Sequence, residues 1–137
     1  MKSFTLIELV VVLVIMGVLA TLGIAPYNMY RENALDREAE GNLALIIAAE
    51  KVYRMEQQAF YTSPTDSEAD LNNKLRLFLS VTNMNWRYFT RKNDVVVPPV
   101  CCAQATRVST GKTWRLCSSE TEPSSGGTCV ASAASCP

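Results

Sequence analysis

The sequence predicts an α+β protein in which one long N-terminal helix, over about residues 4–59, packs on a small antiparallel sheet of about three strands. Three observations predict this fold class. The first thirty residues carry only two charges, Lys2 and Glu8. Helical periodicity then continues without a proline until Pro64. Short aromatic and β-branched segments, separated by turn residues, follow in the second half of the chain.

The charge balance and composition exclude several classes of function. The 137 residues include 13 Lys and Arg and 13 Asp and Glu, so the net charge is zero and the positive field typical of nucleic-acid binding is missing. Histidine is absent, which excludes Ser/His and Cys/His catalytic pairs and zinc sites with imidazole ligands. The chain also has no phosphate-binding loop. We expect no enzymatic activity, no cofactor and no direct binding of nucleic acid.

The helix begins with an apolar run, because no charge occurs from Leu9 to Tyr30. A bilayer core of roughly 30 Å needs about 20 apolar residues in a helix, so this run predicts a membrane-spanning segment over residues 4–30. A secretory signal is the alternative, but its apolar stretch is shorter. Lys2 precedes the run, which favours an N-terminus that stays in the cytoplasm.

Glu8 is the one acidic residue beside this run. A carboxylate costs about 2.5–3.5 kcal/mol at the bilayer centre and less near the interface, so it either lies among the headgroups or needs a partner. The hexapeptide FTLIEL at residues 4–9, the apolar run with Gly17, and then Pro26 and Tyr27 together resemble the N-terminus of type IV pilins and type II secretion pseudopilins.

The resemblance implies how the N-terminus is processed and used. In that family a prepilin peptidase cuts ahead of the Phe, which here removes residues 1–3 as a leader by cleavage between Ser3 and Phe4. Ser3 stands where the family almost always has Gly. The new amino group of Phe4 is N-methylated, and Glu8 pairs with that amine on a neighbouring subunit. Such a pair in a low-dielectric setting selects correctly registered subunits.

Gly17, Gly23 and Pro26 interrupt the apolar run. Each Gly costs about 1 kcal/mol in a helix relative to Ala, and Pro removes a backbone donor. Two interpretations stay open: the helix unwinds here when subunits pack into a filament, or these residues are simply tolerated in lipid.

The helix continues into the polar part of the chain. Apolar residues recur there at the spacing of one helical face, namely Leu35, Ala39, Leu43, Ile46, Ile47, Ala49, Val52 and Tyr53. A helix over 4–59 would be roughly 84 Å long, too long for a globular domain of this size, so its first half must lie in a membrane or among other copies. The charges between Arg31 and Glu40 form intersubunit pairs or a solvated face, with local support of the kind Glu50 and Arg54 offer.

The rest of the chain predicts the sheet. Residues 62–75 are predicted as a loop with at most a short helical turn. Three segments have strand composition: 86–90, 100–108 and 113–117. Residues 109–112 are a plausible hairpin connection, and 95–97 could extend an edge before the prolines. The Ser, Gly, Ala and Pro content of 118–137 predicts an irregular tail.

Five cysteines occur, all in the part predicted to lie outside the cytoplasm: Cys101, Cys102, Cys117, Cys129 and Cys136. This distribution fits disulfides in an oxidising compartment, which would support a thin core. We expect Cys129 to pair with Cys136, and Cys101 or Cys102 to pair with Cys117, which leaves one thiol. Metal binding by Cys is the alternative, but no C-x-x-C occurs.

Asp66, Glu68 and Asp70 alternate in the predicted loop. Carboxylates at this spacing could supply oxygen ligands to calcium, as in loops that are common in major pseudopilins. The alternative, which we favour, is a solvated acidic turn. We therefore predict no metal site.

The function predicted from the resemblance is a structural subunit, a major or minor pilin, with a filament segment at 4–30 and a head at 31–137. Identical subunits would form a helical filament for adhesion, motility or DNA uptake. Its partners would be the prepilin peptidase and assembly machinery of the inner membrane, and lipid before assembly. The alternatives are a pseudopilin of a type II secretion system and a monomeric membrane-anchored binding domain.

Overall fold

The long helix predicted from the sequence is confirmed as α1, which spans Leu6–Gln57. It ends because Gln58 adopts a left-handed backbone conformation, with φ of 58°. The Gln58 N–H still donates to the Arg54 carbonyl at 2.9 Å. The structure is a computed structural model, and it describes residues 5–64, 67–82, 84–93, 99–126 and 129, without the side chains of 22–26 and 93.

The chain divides into two compact units, Met1–Asp36 and Arg37–Pro137. In the first unit the large apolar side chains between Leu6 and Leu19 are 46% to 82% exposed. Among the described residues, no helix combines the length and the hydropathy needed to cross a membrane. The membrane-spanning helix predicted for residues 4–30 is therefore not confirmed.

In the second unit α1 contributes one face to the core. Ala39, Leu43 and Ile46 are fully buried there. Val52, which the periodicity placed on the same face, is instead 51% exposed, so that prediction is wrong. Val52 follows Leu43 by nine residues, which is about 180° around a helix with about 100° per residue.

A second helix, α2, spans Glu68–Leu75, where the sequence predicted mainly a loop. Leu71 and Leu75 are buried, and their four-residue spacing places both on one side of the helix. Glu68 and Asp70 in the first turn favour the helix through its dipole. The short length of α2 conceals its periodicity, which explains why the sequence did not indicate it.

The sheet is antiparallel and has the strand order β1-β2-β3-β4 in the described part of the chain. Its strands are β1 (Trp86–Asn93), β2 (Val100–Arg107), β3 (Thr113–Cys117) and β4 (Ser124–Ser125). The predicted strands are confirmed as β1, β2 and β3, although β1 is longer than expected. β4 lies in the predicted irregular tail, so that prediction is wrong for two of its residues. The predicted extension at 95–97 lies outside the described residues.

The core of the second unit lies between the inner face of the sheet and the two helices. Trp86 and Tyr88 of β1 and Leu116 of β3 join Leu43 and Leu71 in one buried cluster. Trp86 faces Arg107 across the β1–β2 ladder, and Tyr88 faces Ala105. Because side chains alternate along a strand, the residues between these ones form the outer face of the sheet.

Candidate functional site

Glu8 lies in the first turn of α1, where its carboxylate folds back onto Thr5. Its Oε2 accepts hydrogen bonds from the Thr5 backbone N–H at 3.0 Å and from the Thr5 hydroxyl at 2.8 Å. The Glu8 N–H in turn donates to Thr5 Oγ1 at 3.4 Å. This reciprocal arrangement is a capping box, in which both side chains satisfy backbone donors at the start of a helix. The carboxylate thus has exposed local donors within its own chain.

The capping box is a structural role for Glu8 that the family resemblance did not suggest. The signal was present as Thr5-x-x-Glu8, the spacing of a capping box ahead of an apolar run. A partner for Glu8 on a neighbouring subunit stays a prediction. Ser3 and Phe4, the predicted processing residues, lie outside the described residues.

The three predicted positions of helix flexibility all lie within α1, which is continuous through them. A Cβ built on Gly17 would meet no atom within 4 Å, so packing within this chain does not require a glycine there. The surroundings of Gly23 and Pro26 lie outside the described side chains. Their role in helix unwinding stays a prediction.

Glu50 is a buried titratable residue that the sequence placed on a solvated face. It is 0% exposed, so the proposed surface pair with Arg54 is wrong. Its Oε2 accepts a hydrogen bond from the Tyr61 N–H at 2.9 Å, while its Oε1 has no hydrogen-bond partner. Burial raises the pKa of Glu50 to about 7, against the opposing effects of the Tyr61 N–H and the Thr90 hydroxyl.

The Glu50 carboxylate connects α1 to the segment that follows it. Ser63 N–H donates to the Thr90 carbonyl at 3.3 Å, so this segment also runs beside β1. The Arg54 side chain does not pair with Glu50. Its guanidinium lies 4.8 Å from the centre of the Phe60 ring. The Glu50 carboxylate is therefore part of the structure of the head and is inaccessible to an external partner.

The acidic residues of the predicted calcium loop bond to protein donors. Glu68 is buried and accepts a hydrogen bond from the Tyr88 N–H at 2.9 Å. Asp70 Oδ2 accepts hydrogen bonds from the Tyr61 hydroxyl and from Ser63. The solvated acidic turn is therefore wrong for Glu68 and Asp70, whereas Asp66 lies outside the described residues. In the described part of the chain, no group of three or more His, Cys, Asp or Glu residues could hold a metal ion.

The cysteines are paired differently from the expectation. Cys102 forms a disulfide with Cys129, so neither Cys129–Cys136 nor Cys102–Cys117 forms. Cys117 is also disulfide-bonded, and Cys101 is a free, buried thiol. Cys101 and Cys102 are adjacent on β2, so their side chains point to opposite faces of the sheet. Cys136 lies outside the described residues.

The disulfide fastens the C-terminal segment to the outer face of the sheet. The Cys129 N–H donates to Gln104 Oε1 at 2.7 Å, beside the bond to Cys102. Phe89 packs against the same cysteine cluster from β1. Cys101 faces the core, where burial raises its pKa to about 12 and keeps the thiol protonated.

Comparison with known protein families gives a match at the N-terminus. Residues 1–24 match the family described as a prokaryotic N-terminal methylation motif, and this segment contains the FTLIEL hexapeptide. No curated protein and no solved structure matches the chain. The chain therefore carries the prepilin-type N-terminal signature that type IV pilins and pseudopilins share.

Proposed function

We propose that the chain is a structural pilin subunit, major or minor, that polymerises through its N-terminal helix into a type IV pilus filament. The methylation motif at residues 1–24 carries this proposal. A prepilin peptidase cuts the precursor between Ser3 and Phe4 and the new terminus is N-methylated. The filament then serves adhesion, motility or DNA uptake.

The exposed apolar side chains of the first unit support polymerisation. Leu13 is 60% exposed and Leu19 is 64% exposed, and the large apolar side chains around them are similarly uncovered. Burying a side chain of this kind contributes about 1.5–3 kcal/mol, so this surface needs either lipid or other apolar helices. Lipid of the inner membrane covers it before assembly, with the N-terminus in the cytoplasm, and identical helices cover it in the filament at the cell surface.

Glu8 has a charge-selective role in this assembly. Cleavage ahead of Phe4 creates an amino group, and the amine and the carboxylate stabilise one another when apolar helices surround both. Either charge alone in that environment is penalised, so a misregistered subunit is rejected. The capping box does not replace this pair, because Thr5 supplies dipoles and no positive charge.

The head fits a pilin better than a pseudopilin with a calcium loop. The Cys102–Cys129 disulfide fastens the C-terminal segment. Glu68 and Asp70 bond to protein donors rather than being held ready for an ion. A pseudopilin would share the N-terminal signature and the same processing, so the location of the mature protein distinguishes the two.

The first experiment is intact mass and N-terminal sequencing of the protein from sheared cell-surface material and from membranes. A chain that begins at N-methyl-Phe4 in the sheared fraction supports the pilin. The same mature end in membranes alone indicates a pseudopilin. A chain that still begins at Met1 and stays in membranes contradicts processing and favours a monomeric anchored domain.

The second experiment separates the charge of Glu8 from its capping role. Glu8→Gln keeps an acceptor for Thr5 but removes the charge, so we expect loss of surface filaments. Thr5→Ala breaks the capping box and keeps the carboxylate, so filaments should persist while the first turn loses about 1 kcal/mol of stability. Filament yield is measured by electron microscopy and immunoblotting of the sheared fraction. Normal filaments from Glu8→Gln would contradict the charge pair.

A further inference from the structure

Three cysteines lie together on the outer face of the sheet. Cys102, Cys117 and Cys129 form one buried cluster. Cys102 is bonded to Cys129, and Cys117 belongs to another disulfide. The cluster therefore brings sulfur atoms from two disulfides together. Disulfides exchange when a thiolate attacks a nearby disulfide sulfur, so this proximity is what exchange requires.

Cys102 has Cys117 directly opposite it in the β2–β3 ladder. One position along both strands, the Ser118 N–H donates to the Cys101 carbonyl at 2.8 Å. Hydrogen-bonded and non-hydrogen-bonded pairs alternate along an antiparallel ladder, so Cys102 and Cys117 form a non-hydrogen-bonded pair. The Cα atoms of such a pair are about 4.5 Å apart, within the range of about 4.4–6.8 Å that a disulfide takes. The strand register alone therefore places these two cysteines at bonding distance.

Among the described cysteines, Cys102 thus has two partners within reach, and the folded chain selects Cys129. Their Cα atoms are 5.8 Å apart. The Cys129 N–H donates to Gln104 Oε1 at 2.7 Å, and Gln104 is buried two residues along β2 on the same face as Cys102. Gln104 therefore holds the Cys129 backbone beside Cys102. This contact forms only after the C-terminal segment has reached the sheet.

Cys101 is separated from the cluster although it is the neighbour of Cys102 in the sequence. It is a free thiol that faces the core on the opposite side of β2. Burial raises the pKa of its thiol to about 12, so the thiolate that attacks a disulfide is nearly absent. Among the described cysteines of the folded sheet, exchange is therefore confined to the cluster on the outer face.

We propose that Cys102, Cys117 and Cys129 form a thiol–disulfide exchange site through which the head acquires its native pairing. Cys102 first bonds to Cys117 within the β2–β3 hairpin, and the bond is then transferred to Cys129. The hairpin bond forms first because β2 and β3 are consecutive strands. Cys102 and Cys129 are 27 residues apart, and closing that longer loop costs more chain entropy. The site concerns the head alone and does not depend on the proposed filament.

The transfer itself changes no oxidation state. A disulfide oxidant first oxidises the Cys102 and Cys117 thiols to a disulfide and is itself reduced to two thiols. The Cys129 thiolate then attacks Cys102 Sγ, so that the Cys102–Cys129 bond forms and the Cys102–Cys117 bond breaks. The electron pair of the broken bond leaves on Cys117 Sγ, which takes up the proton that the Cys129 thiol released. A second equivalent of the oxidant then converts Cys117 to the disulfide that it has in the folded chain.

Removal of the final partner tests the first bond. Cys129→Ser is introduced into the full chain together with Cys101→Ala, so that the peptide with Cys102 carries a single thiol. The reduced chain is oxidised with glutathione in detergent micelles, alkylated and digested without reduction. Trypsin separates Cys102 from Cys117, and a glutamyl protease separates Cys117 from the segment after it.

We expect mass spectrometry to identify Cys102–Cys117 as the first disulfide within the Cys129→Ser chain. Cys101→Ala alone is the matched control and should end with the Cys102–Cys129 bond. If Cys102 in the Cys129→Ser chain stays a free thiol, or bonds first to Cys136, the proposal is overturned.

A time course tests the transfer in the chain that retains Cys129. The reduced Cys101→Ala chain refolds in a glutathione redox buffer, and alkylation at intervals blocks the free thiols. We expect Cys102–Cys117 to rise first and to decay as Cys102–Cys129 appears. Formation of Cys102–Cys129 without earlier Cys102–Cys117 would overturn the proposal, whether or not the chain forms filaments in cells.

Gln104 is the residue expected to guide the transfer. Gln104→Leu removes the acceptor that holds the Cys129 N–H, so the decay of Cys102–Cys117 should slow about fivefold, the factor that one hydrogen bond of ordinary strength gives. Thr113→Val, on the same face of β3, is the matched control and should stay within about twofold of the parent chain. Equal decay in both variants would overturn the guided transfer.

Discussion

At the scale of single residues, Glu50 has the least favourable environment among the described carboxylates. One of its oxygens accepts the Tyr61 N–H, and the other has no hydrogen-bond partner although the side chain is fully buried. An ionised carboxylate in such a place is penalised by desolvation, which is why the pKa of Glu50 is raised to about 7. Cys101 of β2 and the Tyr61 hydroxyl lie close enough for the Glu50 charge to contribute to the raised pKa of each.

Glu50 makes the head less stable as the pH rises. The folded state binds this proton more tightly than the unfolded state, whose pKa is near 4.5. The stabilisation is complete below about pH 4.5 and is lost as the pH rises to about 7, by an amount on the order of 2–3 kcal/mol. Because the chain has no histidine, few other groups titrate in this range.

Substitution of Glu50 by Gln removes that titration. We expect the melting temperature of the wild-type chain to fall between pH 5 and pH 8, and that of Glu50→Gln to change far less. Thermal unfolding, followed by the fluorescence of Trp86 and Trp114, measures the difference. Glu56→Gln, at an exposed position on the same helix, is the matched control and should follow the wild type. An equal fall in Glu50→Gln would contradict the assignment.

The sequence was enough to recognise the N-terminal signature but not the burial of Glu50, for physical reasons. FTLIEL and the uncharged run are local patterns, so a single segment is enough to recognise them. Glu50 has the same spacing to Arg54 as a surface ion pair, and only the segment at Tyr61 and strand β1 shows that it is covered. Burial depends on segments that are distant in the sequence, and charge patterns do not report it.

At the scale of elements, the end of α1 depends on one residue. Gln58 adopts φ of 58°, a conformation that costs an L-residue roughly 1–2 kcal/mol and costs glycine little. The hydrogen bond from its N–H to the Arg54 carbonyl needs only the backbone, so a glycine would retain it.

Gln58→Gly should therefore stabilise the chain by about 0.5–1 kcal/mol, because glycine relieves the strain at a helix C-terminus. Gln57→Gly, at the last residue of the helix, is the matched control and should destabilise the chain, because glycine loses more backbone freedom on folding than glutamine does. Urea unfolding of both variants measures the two effects. Equal destabilisation by both substitutions would show that the left-handed conformation is not the determinant.

The elements that could be predicted are those with long or simple patterns. α1 has many turns of periodicity, and β1, β2 and β3 have aromatic or β-branched composition between turns. α2 has eight residues, too few for a clear period, and it forms because Leu71 and Leu75 reach the core. β4 is two Ser residues, which have no strand propensity of their own and pair only because β3 lies beside them.

At the scale of the whole molecule, the Cys102–Cys129 disulfide links strand β2 to the C-terminal segment of the chain. Cys102 and Cys129 are separated by 27 residues, so their bond restricts a loop that contains β3 and β4. The pairing cannot be derived from the spacing of the cysteines in the sequence. It depends on which side of the sheet each cysteine side chain lies and on which side the C-terminal segment passes. Both Cys101 and Cys102 are buried, but side chains alternate between the two faces of the sheet along β2. Cys102 therefore reaches Cys129 on the outer face, whereas Cys101 faces the core.

Removal of this disulfide by Cys102→Ser with Cys129→Ser should destabilise the head by about 3–4 kcal/mol in the chain-entropy view, because the unfolded chain regains the freedom of the closed loop. Urea unfolding under oxidising conditions, followed by the fluorescence of Trp86 and Trp114, measures the loss.

Cys101→Ala is the matched control. It removes the free thiol and keeps the disulfide, and it costs about 1 kcal/mol because it leaves a small cavity. If the double variant unfolds at the same urea concentration as Cys101→Ala, the disulfide does not stabilise the head. The greater loss expected from the double variant would instead show that the stability of the head depends on a compartment in which disulfides persist.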